Sequence, residues 1–392
     1  MAVQTCAPIE LAEAAGRIDS SAIRDLLHVL DRPDVISLAG GLPAAETFPA
    51  PELAAAMAEI LASDPAALQY STTEGYAPLR QWAGDRHGAG LDRVVITHGS
   101  QQALDLVARA LVDPGDTVAL ADPGYVGAIQ VLRLAGANLA PVPSDADGLQ
   151  VDVLEAQLRR GGRPKLVYVV ANFDNPTGAT LSGERRAALG TLADRYGFVV
   201  VEDDPYGDLR WHGAAPPPLA AFSDRVVTLG TVSKIVCPGL RIGYAVAPPA
   251  LAPTLVLVKQ ALDLHTSTLA QRGVHRVLTT PGFLASQLDR LRPLYRDRAA
   301  ALVHALRSEL SGRFQFHAPS GGMFVWGEFA EDIDTQDLLP AAVARGVAFV
   351  PGQAFAVATD HRRALRLSFA TTPPDQLLEG VRRLAAAVRD RR

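Results

Sequence analysis

Short runs of valine, isoleucine, leucine and alanine without polar alternation recur along the chain, at 94–97, 117–121, 166–171, 198–202, 226–230 and 242–247. Runs of this length and texture predict strands buried on both faces, as in a parallel sheet. Between them lie stretches whose apolar residues recur three and four apart, at 101–111, 126–135, 151–160 and 184–195. That period predicts amphipathic helices. The alternation implies an α/β architecture, a mostly parallel sheet with helices on both faces. Sheets of this kind take ligands at the carboxyl ends of their strands.

Beyond about residue 275 the pattern changes. Long arginine- and leucine-rich helical stretches at 284–309 and 375–389 flank a glycine-rich turn and short apolar runs near 323–326, 348–350 and 365–369. This predicts three parts: an N-terminal segment, 1–40, without sheet pattern and packing with the small domain; a large domain, 41–275; and a smaller α/β domain, 276–392.

Composition narrows the choice of partners. Hydrophobic residues make up 48% of the 392 residues, enough for a large core. A formal net charge of −5 argues against a nucleic-acid binder, whose affinity rests on a basic surface. Two cysteines, Cys6 and Cys237, make no disulfide framework and no metal knuckle. No uncharged apolar run reaches the ~18 residues of a membrane span, and the first residues lack a basic-then-apolar signal pattern. The expectation is a cytoplasmic protein with free thiols.

The polar residues that stand out follow the predicted strands. Gly99-Ser100-Gln101-Gln102 opens a helix, where backbone amides and a hydroxyl make an anion site or, equally, an ordinary cap. Asn175-Pro176-Thr177-Gly178 follows the run at 166–171 and is built of turn formers. Glu202-Asp203-Asp204-Pro205-Tyr206 puts three acids at a strand end, fit for a metal, a cationic partner or a solvated loop; no histidine stands near to favour the metal. Thr231-Val232-Ser233-Lys234 sets a lysine among hydroxyls, a candidate nucleophile for a carbonyl or else a surface lysine. Arg241, in Gly239-Leu240-Arg241-Ile242-Gly243, offers a planar fork for a phosphate.

Taken together and in this order, the set resembles the aspartate-aminotransferase superfamily of pyridoxal-5′-phosphate (PLP) enzymes over nearly the whole chain. The similarity is greatest to the branch holding 2-aminoadipate, kynurenine and aromatic aminotransferases. Carrying that branch are Ile36-Ser37-Leu38-Ala39-Gly40-Gly41-Leu42-Pro43, Leu68-Gln69-Tyr70-Ser71 with Glu74-Gly75-Tyr76, and Gly321-Gly322-Met323-Phe324-Val325-Trp326. Gly16-Arg17-Ile18 with Ile23-Arg24 is similar to the bacterial 2-aminoadipate enzyme.

The resemblance implies the PLP-dependent transferase fold of type I, with a seven-stranded, mostly parallel sheet in the large domain. It implies that Lys234 binds PLP covalently and later shuttles the substrate α-proton. Asp203 would bind the pyridine nitrogen and keep it protonated. Tyr206 and Asn175 would bond the ring's phenolic oxygen, and Tyr125 would stack on the ring. Ser100, Gln101, Thr231, Ser233 and Arg241 would hold the phosphate, with Tyr70 reaching it from the neighbouring subunit of a homodimer with shared sites. Arg366 would grip the substrate α-carboxylate beside Asn175, and Gly40 and Gly41 would let backbone approach the substrate. Arg17 would meet a distal carboxylate, or else merely salt-bridge its own helix. No metal is implied. Thr231 stands where many relatives carry serine, and Asn172-Phe173-Asp174 departs from the adipate enzyme, which puts the substrate preference in doubt. The implied reaction is ping-pong amino transfer from 2-aminoadipate, a branched-chain or an aromatic amino acid to 2-oxoglutarate. Its alternatives are another PLP reaction on the same scaffold (a cyclase, lyase or racemase) and a non-catalytic regulator. The regulator is disfavoured because only about forty residues precede the first motif, too few for a DNA-binding domain.

Overall fold

The computed structural model describes residues 9–18, 32 and 34–390. Cys6, Ile23, Arg24, Arg391 and Arg392 lie outside the described residues. The first strand, β1 (Ile36–Ser37), is only two residues long. The main sheet follows: β2 (Val94–Thr97), β3 (Thr117–Asp122), β4 (Asn138–Asp145), β5 (Gly148–Leu149), β6 (Leu166–Val170), β7 (Val199–Asp203), β8 (Val226–Thr231) and β9 (Gly243–Val246). Their spatial order is β2-β9-β8-β7-β6-β3-β4-β5. The central pairs β4–β3–β6–β7–β8 are all parallel, and β9 runs antiparallel between β8 and β2.

The sheet has one strand more than the seven expected, because the two-residue β5 folds back on β4. The alternation of apolar runs also passed over β4 itself, which carries Pro141 and Pro143. Proline lacks the N–H of a ladder and reads as a break. β4 tolerates two because, on its outer side, only Ser144 and Asp145 have a pairing partner.

A four-stranded antiparallel sheet is formed by β10 (Phe314–Phe316), β11 (Phe324–Phe329), β13 (Val350–Pro351) and β14 (Ala364–Ser368), in the order β10-β11-β14-β13. Here β12 (Val347–Ala348) pairs in parallel with β1. The N-terminal segment, which shows no sheet pattern in the sequence, thus supplies a strand too short to alternate. The turn Glu13–Arg17 lies instead against the helix Val126–Leu134.

One apolar core runs through both sheets, from Val94 and Leu104 to Leu365 and Leu384. The helix Gly99–Leu111 commits Ala103, Leu104, Leu106, Val107 and Ala108 to it. Each large apolar side chain so buried contributes ~1.5–3 kcal/mol, so the start of this helix is held rigidly against the ends of β2 and β8. No helix among the described residues is long and apolar enough to cross a membrane.

Candidate active site

The carboxyl ends of β6, β7 and β8, the start of the helix Gly99–Leu111 and the middle of β14 surround a cavity of about 520 Å³. Every candidate residue except Tyr70 and Arg17 lines it. A larger cleft of about 740 Å³ opens between Asp147, His317 and His361. Size does not identify the site here; the convergence of a lysine, an acid and two arginines does.

Local folding presents Lys234. After β8 the chain makes a helical turn in which Val232, Ile235 and Val236 are buried, with the Ile235 and Val236 amides bonded to the Val232 carbonyl. Ser233 and Lys234 are left to face the cavity. Lys234 Nζ donates to the Gly41 carbonyl at 3.0 Å. Burial, with the nearby positive charges of Arg366 and Arg241, pushes its pKa down to about 8. The chain has only three lysines. Lys165 is exposed and pairs with Asp116, Lys259 is fully buried elsewhere, and Lys234 alone lines the cavity.

Asp203 ends β7, one residue beyond the predicted run. Its Oδ2 accepts a hydrogen bond from the Tyr168 hydroxyl at 2.8 Å, while its buried Oδ1 has no partner. Burial pushes its pKa up to about 7, the Tyr168 bond opposing and Asp204 adding to the rise. A buried carboxylate oxygen without a donor is costly. Here it faces a cavity, which fits a ring carrying an N–H.

The other two acids turn elsewhere. Glu202 meets Arg186 at 3.1 Å in a buried pair, and Asp204 accepts from the Gly207 amide at 2.9 Å. The three carboxylates therefore do not converge on one ion.

Alternation along β14 sends Leu365 and Leu367 into the core and Arg366 to the opposite face. Arg366 lies between the rings of Phe324 and Phe355, 4.3 and 5.0 Å from their centroids. It donates to Asn175 Oδ1 at 2.7 Å and to the Ala39 carbonyl at 2.6 Å, and its buried Nε is unpartnered. Burial pushes its pKa down to about 10. A desolvated guanidinium with only neutral acceptors is a receptor for a carboxylate.

At the far end, Gly99 takes φ +71°, and a Cβ there would stand 2.6 Å from Arg241 Nη2. Only glycine lets this guanidinium rest on the helix start. Arg241 donates from Nη2 to the His98 carbonyl at 3.2 Å. Thr231 Oγ1 donates to Ser233 Oγ at 2.8 Å, so threonine keeps the hydroxyl pairing available to serine. The Tyr125 hydroxyl donates to Gln101 Oε1 at 3.2 Å, and burial pushes its pKa up to about 12. Burial also raises that of Tyr206, whose ring meets Phe324 edge-on.

Two candidates are not brought to the cavity. Tyr70 is 78% exposed and touches His265 edge-on. Arg17 pairs with Glu13 of its own turn at 2.9 Å and approaches Gly136, at the opposite end of the helix Val126–Leu134 from Tyr125. Sequence reasoning missed Tyr168, Phe355, Leu42, Val126 and Gln130. Tyr168 carried a signal, a lone hydroxyl inside an apolar strand; the others look like ordinary core or loop residues.

Residues 33–384 match the model of the family "Aminotransferase class I and II". The chain is 43% identical to the 2-aminoadipate transaminase of Thermus thermophilus, over 97% of this chain and 98% of that one. It is 39% identical to aromatic-amino-acid aminotransferase 1 of Thermococcus litoralis, over 97% and 94%. The crystal structure of the Thermus thermophilus α-aminoadipate aminotransferase LysN, complexed with N-(5′-phosphopyridoxyl)-L-leucine, superposes with a TM-score of 0.91 over 97% of both chains at 43% identity. Fold and site define a pyridoxal-phosphate enzyme of the α/β type. Within that class the chain belongs to the class I and II aminotransferases, and it is a transaminase.

Proposed function

We propose that Lys234 carries the cofactor and that the enzyme moves the amino group of 2-aminoadipate, a branched-chain or an aromatic amino acid to 2-oxoglutarate in a ping-pong cycle. The observation that carries this reading is one cavity lined by the lone available lysine, a buried acid with an open oxygen and a buried arginine without a counter-charge. The relatives named for aminoadipate and aromatic substrates support the donor range.

When bound, the cofactor supplies a protonated ring that takes up the electron pair of the breaking α C–H bond. Asp203 would hold that ring proton through its unpartnered Oδ1. Tyr206 and Asn175 would hold the ring's phenolic oxygen, and Tyr125 would cover its face. Ser100, Gln101, Thr231, Ser233 and Arg241 hold the phosphate. Arg366 and Asn175 orient the substrate through its α-carboxylate, and Gly40 and Gly41 admit it. Burial lowers the pKa of Lys234 to about 8, so a neutral fraction of it exists near physiological pH and would accept the α-proton at Nζ. Fixing the substrate at both ends supplies the alignment that lowers the barrier.

Borohydride treatment followed by peptide mapping should place the cofactor on Lys234; label on Lys165 or Lys259 would overturn the assignment. The amino donor alone should convert the bound cofactor to its pyridoxamine form and release the 2-oxo acid. A cyclase, lyase or racemase would fail that half-reaction.

The domain division at about residues 40 and 275, the cytoplasmic setting and a homodimer with shared sites belong to the same reading. The exposed Tyr70 supports the last.

A further inference from the structure

A second polar cluster lies under the phosphate end of the cavity. Lys259, on the helix Ala252–Asp263, is 0% exposed. Its Nζ donates to the two Asp263 oxygens at 2.8 and 2.9 Å and to Gln102 Oε1 at 3.1 Å. Gln102 Nε2 donates to Asp263 Oδ2 at 2.7 Å, and His98 Nδ1 lies 2.8 Å from that same oxygen. Gln102 Oε1 also accepts the His98 backbone N–H at 2.8 Å.

Burying an ammonium costs several kcal/mol unless acceptors surround it. Here three acceptors do, and the result is a fixed point under the helix start. His98 is gripped at its N–H by Gln102, at its ring by Asp263 and at its carbonyl by Arg241. It is the residue before the helix Gly99–Leu111, whose first N–H groups have no partner within the helix. Those groups and Arg241 are what an anion meets at this end. The Gln102 side chain thus caps the N–H of the residue before its own helix, one half of a capping-box arrangement, and it is tied through Lys259 and Asp263 to a different helix.

We propose that the Lys259–Asp263–Gln102–His98 cluster is a positioning device for the cofactor phosphate. It holds the start of the helix Gly99–Leu111 and the Arg241 guanidinium in register with each other. None of the four side chains lines the cavity, so the effect passes through backbone and through Arg241. The proposal rests on the reading that this end of the cavity takes phosphate.

The test measures how strongly the full-length apoprotein prefers PLP over pyridoxal, which lacks the phosphate, by equilibrium titration. Gln102→Leu and the near-isosteric Asp263→Asn should each reduce that preference by about tenfold, through PLP affinity alone, with pyridoxal binding unchanged. Arg241→Ala is the control for the underlying reading and should reduce the preference at least as much. A merely structural cluster would lower the melting temperature and weaken both ligands equally; that result, or an unchanged preference in both cluster variants, would overturn the proposal. If Arg241→Ala also leaves the preference intact, the phosphate reading itself fails. If Arg241→Ala reduces it and the cluster variants do not, only the positioning role fails.

Discussion

Asp203 is held by burial against its own charge, with pKa about 7 where an ordinary aspartate lies near 3.8. A folded-state pKa above the unfolded value means that the folded apoprotein binds the proton more tightly. Its stability contribution is therefore full at acidic pH and is lost as pH rises towards 7. Glu202 and Asp174 are raised by burial in the same direction, to about 7 and 6, so only a difference isolates Asp203. Urea unfolding of apoprotein at pH 4 and pH 7 should show a loss ~2–4 kcal/mol larger for the wild type than for Asp203→Asn. In the holoenzyme the same variant should lose most of kcat, because an amide cannot keep the ring protonated. Near-normal kcat would point to a different acid. Arg366 makes a second case. Its replacement by alanine should lower kcat/KM for every α-amino acid by at least about a hundredfold, the equivalent of two lost charge-assisted bonds; a loss confined to one donor would mean that it contacts a side chain. Arg17→Ala asks whether the Glu13 pair is the whole role of that residue. Equal kcat/KM for glutamate and leucine relative to wild type would leave it a structural pair; a selective loss of ~1.5–3 kcal/mol for the dicarboxylate would bring it to the substrate.

At the scale of elements, two loops that are remote in sequence define the substrate end. Phe173, at φ +50°, sits between β6 and the Asn175 turn, and its ring packs directly on Gly321. A Cβ at Gly321 would collide with that ring. Gly321→Ala should therefore destabilise the protein by ~1–3 kcal/mol through overpacking, and it should raise KM as the Asn175–Arg366 bond shifts. Pairing it with Phe173→Leu, which makes room, should recover much of the stability; a double variant no better than the single one would exclude the collision as the cause. This coupling has no signature in either motif alone. The Asn-Pro-Thr-Gly turn and the Gly-Gly-Met-Phe turn each read as loop chemistry, and only the packing of Gly321 and Gly322 on Phe173, with Phe324 beside Gly178, makes one a wall for the other.

For the molecule as a whole, the unfinished feature is an apolar surface. Leu61, Leu68, Tyr70, Leu257, Leu262 and Leu264 are exposed, and Tyr70 touches His265, the residue after Leu264. Exposed apolar residues near a candidate site residue fit an interaction surface, and a second copy of the chain is the occupant the shared-site reading calls for. Sedimentation should show a dimer at assay concentration. Mixing Lys234→Ala with Tyr70→Phe subunits should restore activity above either parent, since a mixed dimer holds one site with both residues intact. No recovery on mixing would mean that each subunit completes its own site.

Much of this was legible along the chain because its chemistry is local. Buried parallel strands are short apolar runs, and the groups that bind at their ends follow within a few residues, as Lys234 follows β8 and Asp203 closes β7. The helix start at Gly99 was readable for the same reason. The sequence by itself therefore determined the α/β architecture and the cofactor class, and it singled out most of the polar groups that the fold brings to the cavity. What it could not decide was anything requiring two distant segments to meet. β1 and β5 are two residues each, too short to carry a period, and β4 hides behind prolines that an edge position tolerates. Tyr168 reaches Asp203 across neighbouring strands, Lys259 reaches Gln102 across two helices, and Phe324 of β11 and Phe355 of the turn after β13 enclose Arg366 from separate elements. Whether a carboxylate has a free oxygen, whether an arginine has a counter-charge and how far a lysine's pKa falls depend on burial and on partners far away in sequence. Those are properties of packing, and only the tertiary structure decides them.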